Sequence, residues 1–168
     1  MSPINAIDWK NIATVRYSQF AIRHPREGEA QEMPHSENFQ LLIPDSMPRS
    51  VGYSQVARVT GGAMVFIAGQ VALDASGNLV GKDNFRAQAE QVFENLKTAV
   101  EAAGGTFEDV IKLNTYLLDL SHLPIFREVR DKYINLKNAP TSTAVQVSRL
   151  FRPEFLLEIE AVAIVSSK

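Results

Sequence analysis

The stretch Pro140–Leu150, PTSTAVQVSRL, and the stretch Leu156–Val165, LLEIEAVAIV, decide how this chain is read. Each alternates with a period of two, the signature of a strand, and a short polar turn separates them. In the first, Ser142, Ala144, Gln146 and Ser148 alternate with Thr143, Val145, Val147 and Arg149. In the second, Leu157, Ile159, Ala161 and Ala163 fall on one face, and Glu158, Glu160, Val162 and Ile164 on the other. Two carboxylates inside so apolar a strand demand an explanation. A buried carboxylate must find donors or a cation, or its pKa must shift. Either Glu158 and Glu160 lie at a sheet edge or solvated face, or one of them lines a polar site.

Upstream, the pattern builds an α+β domain. Phe39–Ile43 is a short apolar strand, and a second strand begins at Gly52-Tyr53-Ser54-Gln55. Gly61-Gly62 is a hairpin turn signal, and Ala63–Ala68 is a nearly continuous apolar strand that ends at Gly69-Gln70. Asp83 or Asn84 caps a helix whose stripe is Phe85, Ala89, Val92, Phe93, Leu96, Ala99, Val100 and Ala103. Gly104-Gly105 stops it. Val110–Leu120 is a long strand. Ser121 caps a second helix with Pro124 in its first turn and Phe126, Val129, Tyr133 and Leu136 as its stripe. The order ββ(β)αβαββ places two helices on one face of a mixed sheet.

Residues 1–37 form an extension and linker, and residues 38–168 the domain. A helix over Ala6–Arg23 is followed by the polar tract His24–Asn38. Trp9 and Phe20 are either anchors of the extension onto the domain or a neighbouring subunit or isolated apolar residues of a polar tail, and the extension is expected to wrap a neighbouring subunit or a cleft mouth. The chain has 168 residues, a net charge of −2 and no cysteine. Thiolate catalysis, disulfides and Cys-based metal sites are excluded. The three histidines, His24, His35 and His122, have no metal-ligand spacing. No basic stripe suits nucleic acid. With no signal pattern and no membrane-spanning run, a cytoplasmic protein is expected.

Taken together, GYSQVARVTGGAMVFIAGQ, the helix end EAAGG, DVIKLNTYLLDL, PTSTAVQVSRL and LLEIEAVA resemble the reactive intermediate deaminase family, the Rid or YjgF-like proteins formerly described as L-PSP endoribonucleases. The resemblance spans about Phe39–Val165. It implies a chorismate-mutase-like fold, with a six-stranded mixed sheet, two helices on one face and a homotrimer whose clefts between subunits bind small molecules. It further implies hydrolysis of enamines and imines such as 2-aminoacrylate, without metal or organic cofactor. Tyr53, Gly69, Gln70 and Glu160 match the family pattern, and the matching Glu is thought to position the attacking water. Deaminating members carry Pro-x-Arg at the fifth strand, where the Arg forks onto a substrate carboxylate. Here Pro140-Thr141-Ser142 puts Ser142 in that place, with Ala144 two positions on and Ala68 before Gly69-Gln70. Losing such a contact removes about 1.5–3 kcal/mol per charged hydrogen bond, so a changed substrate follows more directly than a weakened standard activity. Arg127, at the helix position that often lines the cleft, either supplies the missing cation or is a solvated residue beside Glu128 and Asp131.

Taken on their own, Glu160 is the candidate general acid or base, Tyr53 a donor to developing charge and Ser142 a polar residue of the same pocket; the resemblance implies that Ala144, Gly69, Gln70 and Arg127 also lie on the substrate. Tyr53 could equally close a turn, and Ser142 could be an ordinary strand position. A nucleophilic serine lacks both a GxSxG elbow and a nearby histidine in sequence. Three functions are carried forward: a small-molecule deaminase with altered specificity, a non-catalytic ligand-binding or regulatory trimer, and, against the charge balance, an RNA endonuclease.

Overall fold

A computed structural model describes residues 37–166. Of the extension expected over residues 1–37, residues 1–36, with Trp9, Phe20 and His24, lie outside the described residues. Six strands and two helices follow in the expected order: β1 (Phe39–Leu42), β2 (Val56–Val59), β3 (Ala63–Gln70), α1 (Phe85–Ala102), β4 (Val110–Leu117), α2 (Leu123–Arg130), β5 (Thr141–Gln146) and β6 (Leu157–Val165). Strands β3, β6, β4 and β5 lie side by side in that order, with β6 antiparallel to both neighbours and β5 parallel to β4. Among the described residues no helix is long and apolar enough to cross a membrane.

The single six-stranded sheet of the expectation is corrected. The strands divide into this four-stranded sheet and a separate antiparallel ribbon, β1–β2. Gly61-Gly62 does not close a hairpin between β2 and β3. The pair is a corner, where Thr60 and Gly61 N–H groups donate to the Asn38 carbonyl at 2.7 and 3.1 Å. Gly62 has φ +79°, and a Cβ there would come within 2.8 Å of both Ile164 Cγ2 and the Val165 carbonyl oxygen. The chain therefore folds the ribbon over the end of the sheet instead of extending it. Phe39 from the ribbon packs with Ile111 and Ile164, flanked by Leu41, Ala57 and Val162. Ile111 can face that way because the β4–β6 register shifts between Val110 and Lys112.

The helices cover the other face. Phe85, Ala89, Val92, Phe93, Leu96 and Val100 of α1 join Phe126 and Val129 of α2 over Leu113, Leu117, Leu157, Ile159, Ala161 and Ala163. Asn84 caps α1, its side chain accepting from the Ala87 N–H at 3.1 Å. The second helix is shorter than its apolar stripe. It ends at Arg130, and Leu136 lies in a 3-10 turn with 54% of its surface exposed. Asp119, not Ser121, caps the turn that leads into α2, accepting from the Ser121 N–H at 2.8 Å. The long fourth strand stops at Leu117.

One polar residue sits inside the helical stripe. Gln88 is fully buried. Its amide donates to the Gly81 and Glu154 carbonyls at 3.2 and 2.8 Å and accepts from the Leu156 N–H at 2.9 Å. Gln88 thus ties α1 to the segment that launches β6. Truncation would leave buried backbone groups unpaired, at about 1–3 kcal/mol each when uncompensated. Gln88→Ala should lower unfolding free energy by about 2–4 kcal/mol, read by urea denaturation. A loss below about 0.5 kcal/mol, the range of ordinary surface substitutions, would contradict this anchoring role.

Candidate functional site

The register of β4 against β6 assembles a polar group on the sheet face away from the helices. Asn114 stands opposite Glu160, and Tyr116 opposite Glu158. Adjacent residues on paired strands share a face. Asn114 Nδ2 donates to Glu160 Oε1 at 2.7 Å, and the Tyr116 hydroxyl donates to the same oxygen at 3.2 Å. Two neutral donors therefore hold Glu160 in one orientation. Burial, then the hydrogen bond to Glu160 and the charges of Glu160 and Glu158, push the Tyr116 phenol above its usual range, so it remains a donor.

Glu158 is treated differently. Among the described residues its carboxyl has no hydrogen-bond partner. It lies against the backbone of Gly69, where a Cβ would stand 1.9 Å from Glu158 Oε1. Glycine is thus required by close approach. The register between β3 and β6 shifts between Ile67 and Gln70, which sets Ala68-Gly69 in a bulge facing this carboxyl. Gln70 Nε2 donates to the Ala68 carbonyl at 3.1 Å and braces the same bulge. Burial first, and the charge of Glu160 second, raise the Glu158 carboxyl above the ordinary glutamate range.

Beside this group lies a cleft of about 470 Å³, with Phe66, Ala68 and Val162 as apolar wall and Lys112, Asn114 and Glu160 as polar wall. The cleft combines a fixed carboxylate, an ammonium, a neutral amide and an apolar surface, and Glu158 lies outside its lining, against Gly69 on the same sheet face. Such a set can hold a small molecule and move a proton on and off it. Among the described residues no cluster of His, Cys, Asp and Glu is arranged to hold a metal ion.

The other residues singled out from the sequence fall elsewhere. Ser54 bridges Thr141 in parallel, and its N–H donates to the Pro140 carbonyl at 3.1 Å, which brings Tyr53 to the start of β5. Ser142 and Ala144 pair with Leu113 and Thr115, residues that point toward the helices, so they lie on the opposite side of the sheet from Glu160. Ser142 is half-buried and Ala144 exposed. Arg127 is exposed on α2, in the helical layer. One chain therefore holds two separate groups: Glu158 and Glu160 on the open face with Gly69 against them, and Tyr53, Ser142 and Ala144 at the β5 edge, while Gln70, past the bulge, stands opposite Ile159. Sequence reasoning passed over Asn114 and Tyr116, the two donors that hold Glu160 at the cleft wall. The signal was in VIKLNTYL, where Lys112, Asn114 and Tyr116 are the polar half of an alternating strand. Pairing that half with EIE required the register.

Because Glu160 charge is one cause of the raised Glu158 carboxyl, Glu160→Gln should lower it toward the ordinary value. A carbon-detected NMR titration of side-chain carboxyls measures this, and an unmoved Glu158 resonance would contradict the coupling. The stability linkage has a definite sign. A raised carboxyl binds its proton more tightly in the folded state, so its contribution is fully present below the unfolded glutamate value. It is lost as pH rises through the raised folded value.

Residues 45–165 match the family model described as endoribonuclease L-PSP. A RutC family protein of Pyrococcus horikoshii, PH0854, is 37% identical over 125 residues, covering 74% of this chain and 96% of that protein. The 2-iminobutanoate/2-iminopropanoate deaminase of Salmonella typhimurium is 33% identical over 127 residues, covering 74% of this chain and 97% of the deaminase. Among solved structures, YyfB from Yersinia pestis, a protein of the conserved Rid family, superposes with a TM-score of 0.70 at 34% identity, covering 76% of this chain and 99% of that one. With its strand order, its Gly69 bulge and its EIE strand all within the matched span, the chain belongs to the endoribonuclease L-PSP family, the Rid proteins that its sequence resembles.

Proposed function

We propose that this protein hydrolyses a small imine or enamine to a carbonyl compound and ammonia. The observation that carries the reading is the Glu158 carboxyl, desolvated against Gly69 and next to the clamped Glu160. A carboxyl raised above the ordinary glutamate range can act as acid and then as base within one turnover. In the proposed path, protonated Glu158 gives its proton to the imine nitrogen, forming an iminium cation. Glu160, held by Asn114 and Tyr116, stabilises that cation. Water attacks the iminium carbon while the Glu158 carboxylate takes the proton released. The resulting carbinolamine receives that proton on nitrogen and expels ammonia. The carbinolamine hydroxyl proton returns to Glu158 as the carbonyl forms. An enamine enters the same path once a proton is placed on its β-carbon.

The name of the Salmonella relative supports the reaction class. Ser142, in the place where deaminating members carry Arg, supports a specificity different from theirs. The same serine favours a second reading, a ligand-binding trimer without turnover. The active form in this proposal is a homotrimer with the site closed between copies. Phe66 and Met64 on the open face are 76% and 54% exposed, and contiguous apolar surface of this kind marks contact with a partner. A neighbouring copy could bring its Tyr53–Ser142 edge to the Glu158 face, which one chain does not do.

The test is ammonia release from 2-iminobutanoate generated in situ and from an imine lacking a carboxylate, on preparations whose mass by light scattering is three times 18.6 kDa. Glu158→Gln should reduce turnover by about 10²–10⁴-fold, the usual contribution of a positioned acid or base, with Glu160→Gln impaired less. Turnover that survives in Glu158→Gln contradicts the mechanism. Absence of turnover with every imine selects the binding reading, and a monomeric mass removes the shared site.

A further inference from the structure

The proton path through Glu158 leaves one reactive group of the cleft unused. Lys112 lies in the cleft wall with Asn114 and Glu160. The register places it in a row across the open face: Phe66 of β3 pairs with Val162 of β6, Val162 with Lys112, and Lys112 with Thr141 of β5. Thr141 spends its hydroxyl proton on the Ile111 carbonyl at 2.9 Å. Lys112 is half-buried. Arg86 and Lys132 on the helices pair with Glu128 and Glu90, but among the described residues no carboxylate lies within ion-pair distance of the Lys112 ammonium. Glu160 stands diagonally across from it, two residues from Val162 along β6, a spacing that long side chains span. Asn114 and Tyr116 both donate to Oε1 of Glu160, so Oε2 is left without a donor among the described residues.

An unpaired amine beside an oriented carboxylate, in a cleft with an apolar wall, supplies the nucleophile and the proton carrier that imine formation needs. We propose that Lys112 captures small aldehydes and ketones in this cleft as a covalent imine, with Glu160 carrying the proton. The Lys112 ammonium first gives a proton to Glu160 Oε2. The nitrogen lone pair then attacks the carbonyl carbon, and the π pair moves to oxygen. A proton passes from that nitrogen to the oxygen and gives the neutral carbinolamine. Glu160 returns its proton to the hydroxyl, which leaves as water while the nitrogen lone pair forms the C=N bond. The products are a protonated imine on Lys112, one water and the Glu160 carboxylate. The ligand class is a small carbonyl compound with an apolar body, because Phe66, Ala68 and Val162 line the wall. Capture uses neither Glu158 nor a carboxylate on the ligand, and it does not rest on the deaminase reading. The carbonyl product of that hydrolysis is one member of the class.

The experiment incubates the full chain with butanone and sodium cyanoborohydride, which reduces the imine to a stable secondary amine. Peptide mass spectrometry then reads the sec-butyl group on each lysine over time. Lys112 should be labelled at least about tenfold faster than Lys97, an exposed lysine on α1. Glu160→Gln should slow labelling of Lys112 by about tenfold or more and leave Lys97 unchanged. The wild-type ratio needs no variant, so the test stays decisive even where Glu160→Gln fails to fold. Lys112 labelled no faster than Lys97 in wild type, or at an unchanged rate in a folded Glu160→Gln, overturns the proposal. If Lys112 is labelled selectively while no imine is turned over, the deaminase reading fails and the capture site stands. If imines are turned over and Lys112 is labelled no faster than Lys97, the reverse holds.

Discussion

The antiparallel pairing of β4 with β6 is the constraint on which the rest depends. Leu113 against Ala161 and Leu117 against Leu157 face the helices. Asn114 against Glu160 and Tyr116 against Glu158 face away. A slip of one residue would drive both glutamates into the layer filled by Phe93, Leu96 and Phe126 and would turn Leu157 and Ile159 outward. The apolar half of each strand thus fixes the register through burial, and the polar half inherits its geometry from that choice. Core and site are two faces of one pairing.

From this pairing comes an asymmetry between two glutamates only two residues apart. Glu160 receives an amide and a phenol on one oxygen and is held in place. Glu158 receives neither and is pressed against the Gly69 bulge. Like charge nearby and loss of solvent act in the same direction on it. A carboxylate held by two donors and a carboxyl raised by burial thus stand on one sheet face. The bulge in β3 matters for the same reason, because a side chain at Gly69 would occupy the space of the carboxyl.

The sequence made the layer order legible because period and breakers agreed along most of the chain. The alternation of LLEIEAVAIV, the stripe of α1 and the caps at Asn84 and Gly104 all point to one answer. What stayed hidden depended on long-range geometry. Gly61-Gly62 reads as a hairpin from its own chemistry, and only the proximity of Ile164 and Val165 makes it a corner. The length of α2 was overread because Leu136 continues the apolar spacing past the helix end. At the site, Gly69, Gln70 and Glu160 were recognised by wording, but which glutamate is free and which is tied depends on Asn114 and Tyr116 across the strand pair.

The central claim is that a desolvated Glu158 moves the proton during turnover. The most direct measurement is kcat/KM of the wild-type protein for an imine across pH 4–9, set beside the NMR titration of the Glu158 carboxyl in the same buffer. The account expects activity to fall on the alkaline side of a limb that lies above the ordinary glutamate range and coincides with the titration of Glu158. A limb in the ordinary carboxylate range, or a profile with no limb where Glu158 titrates, would contradict it.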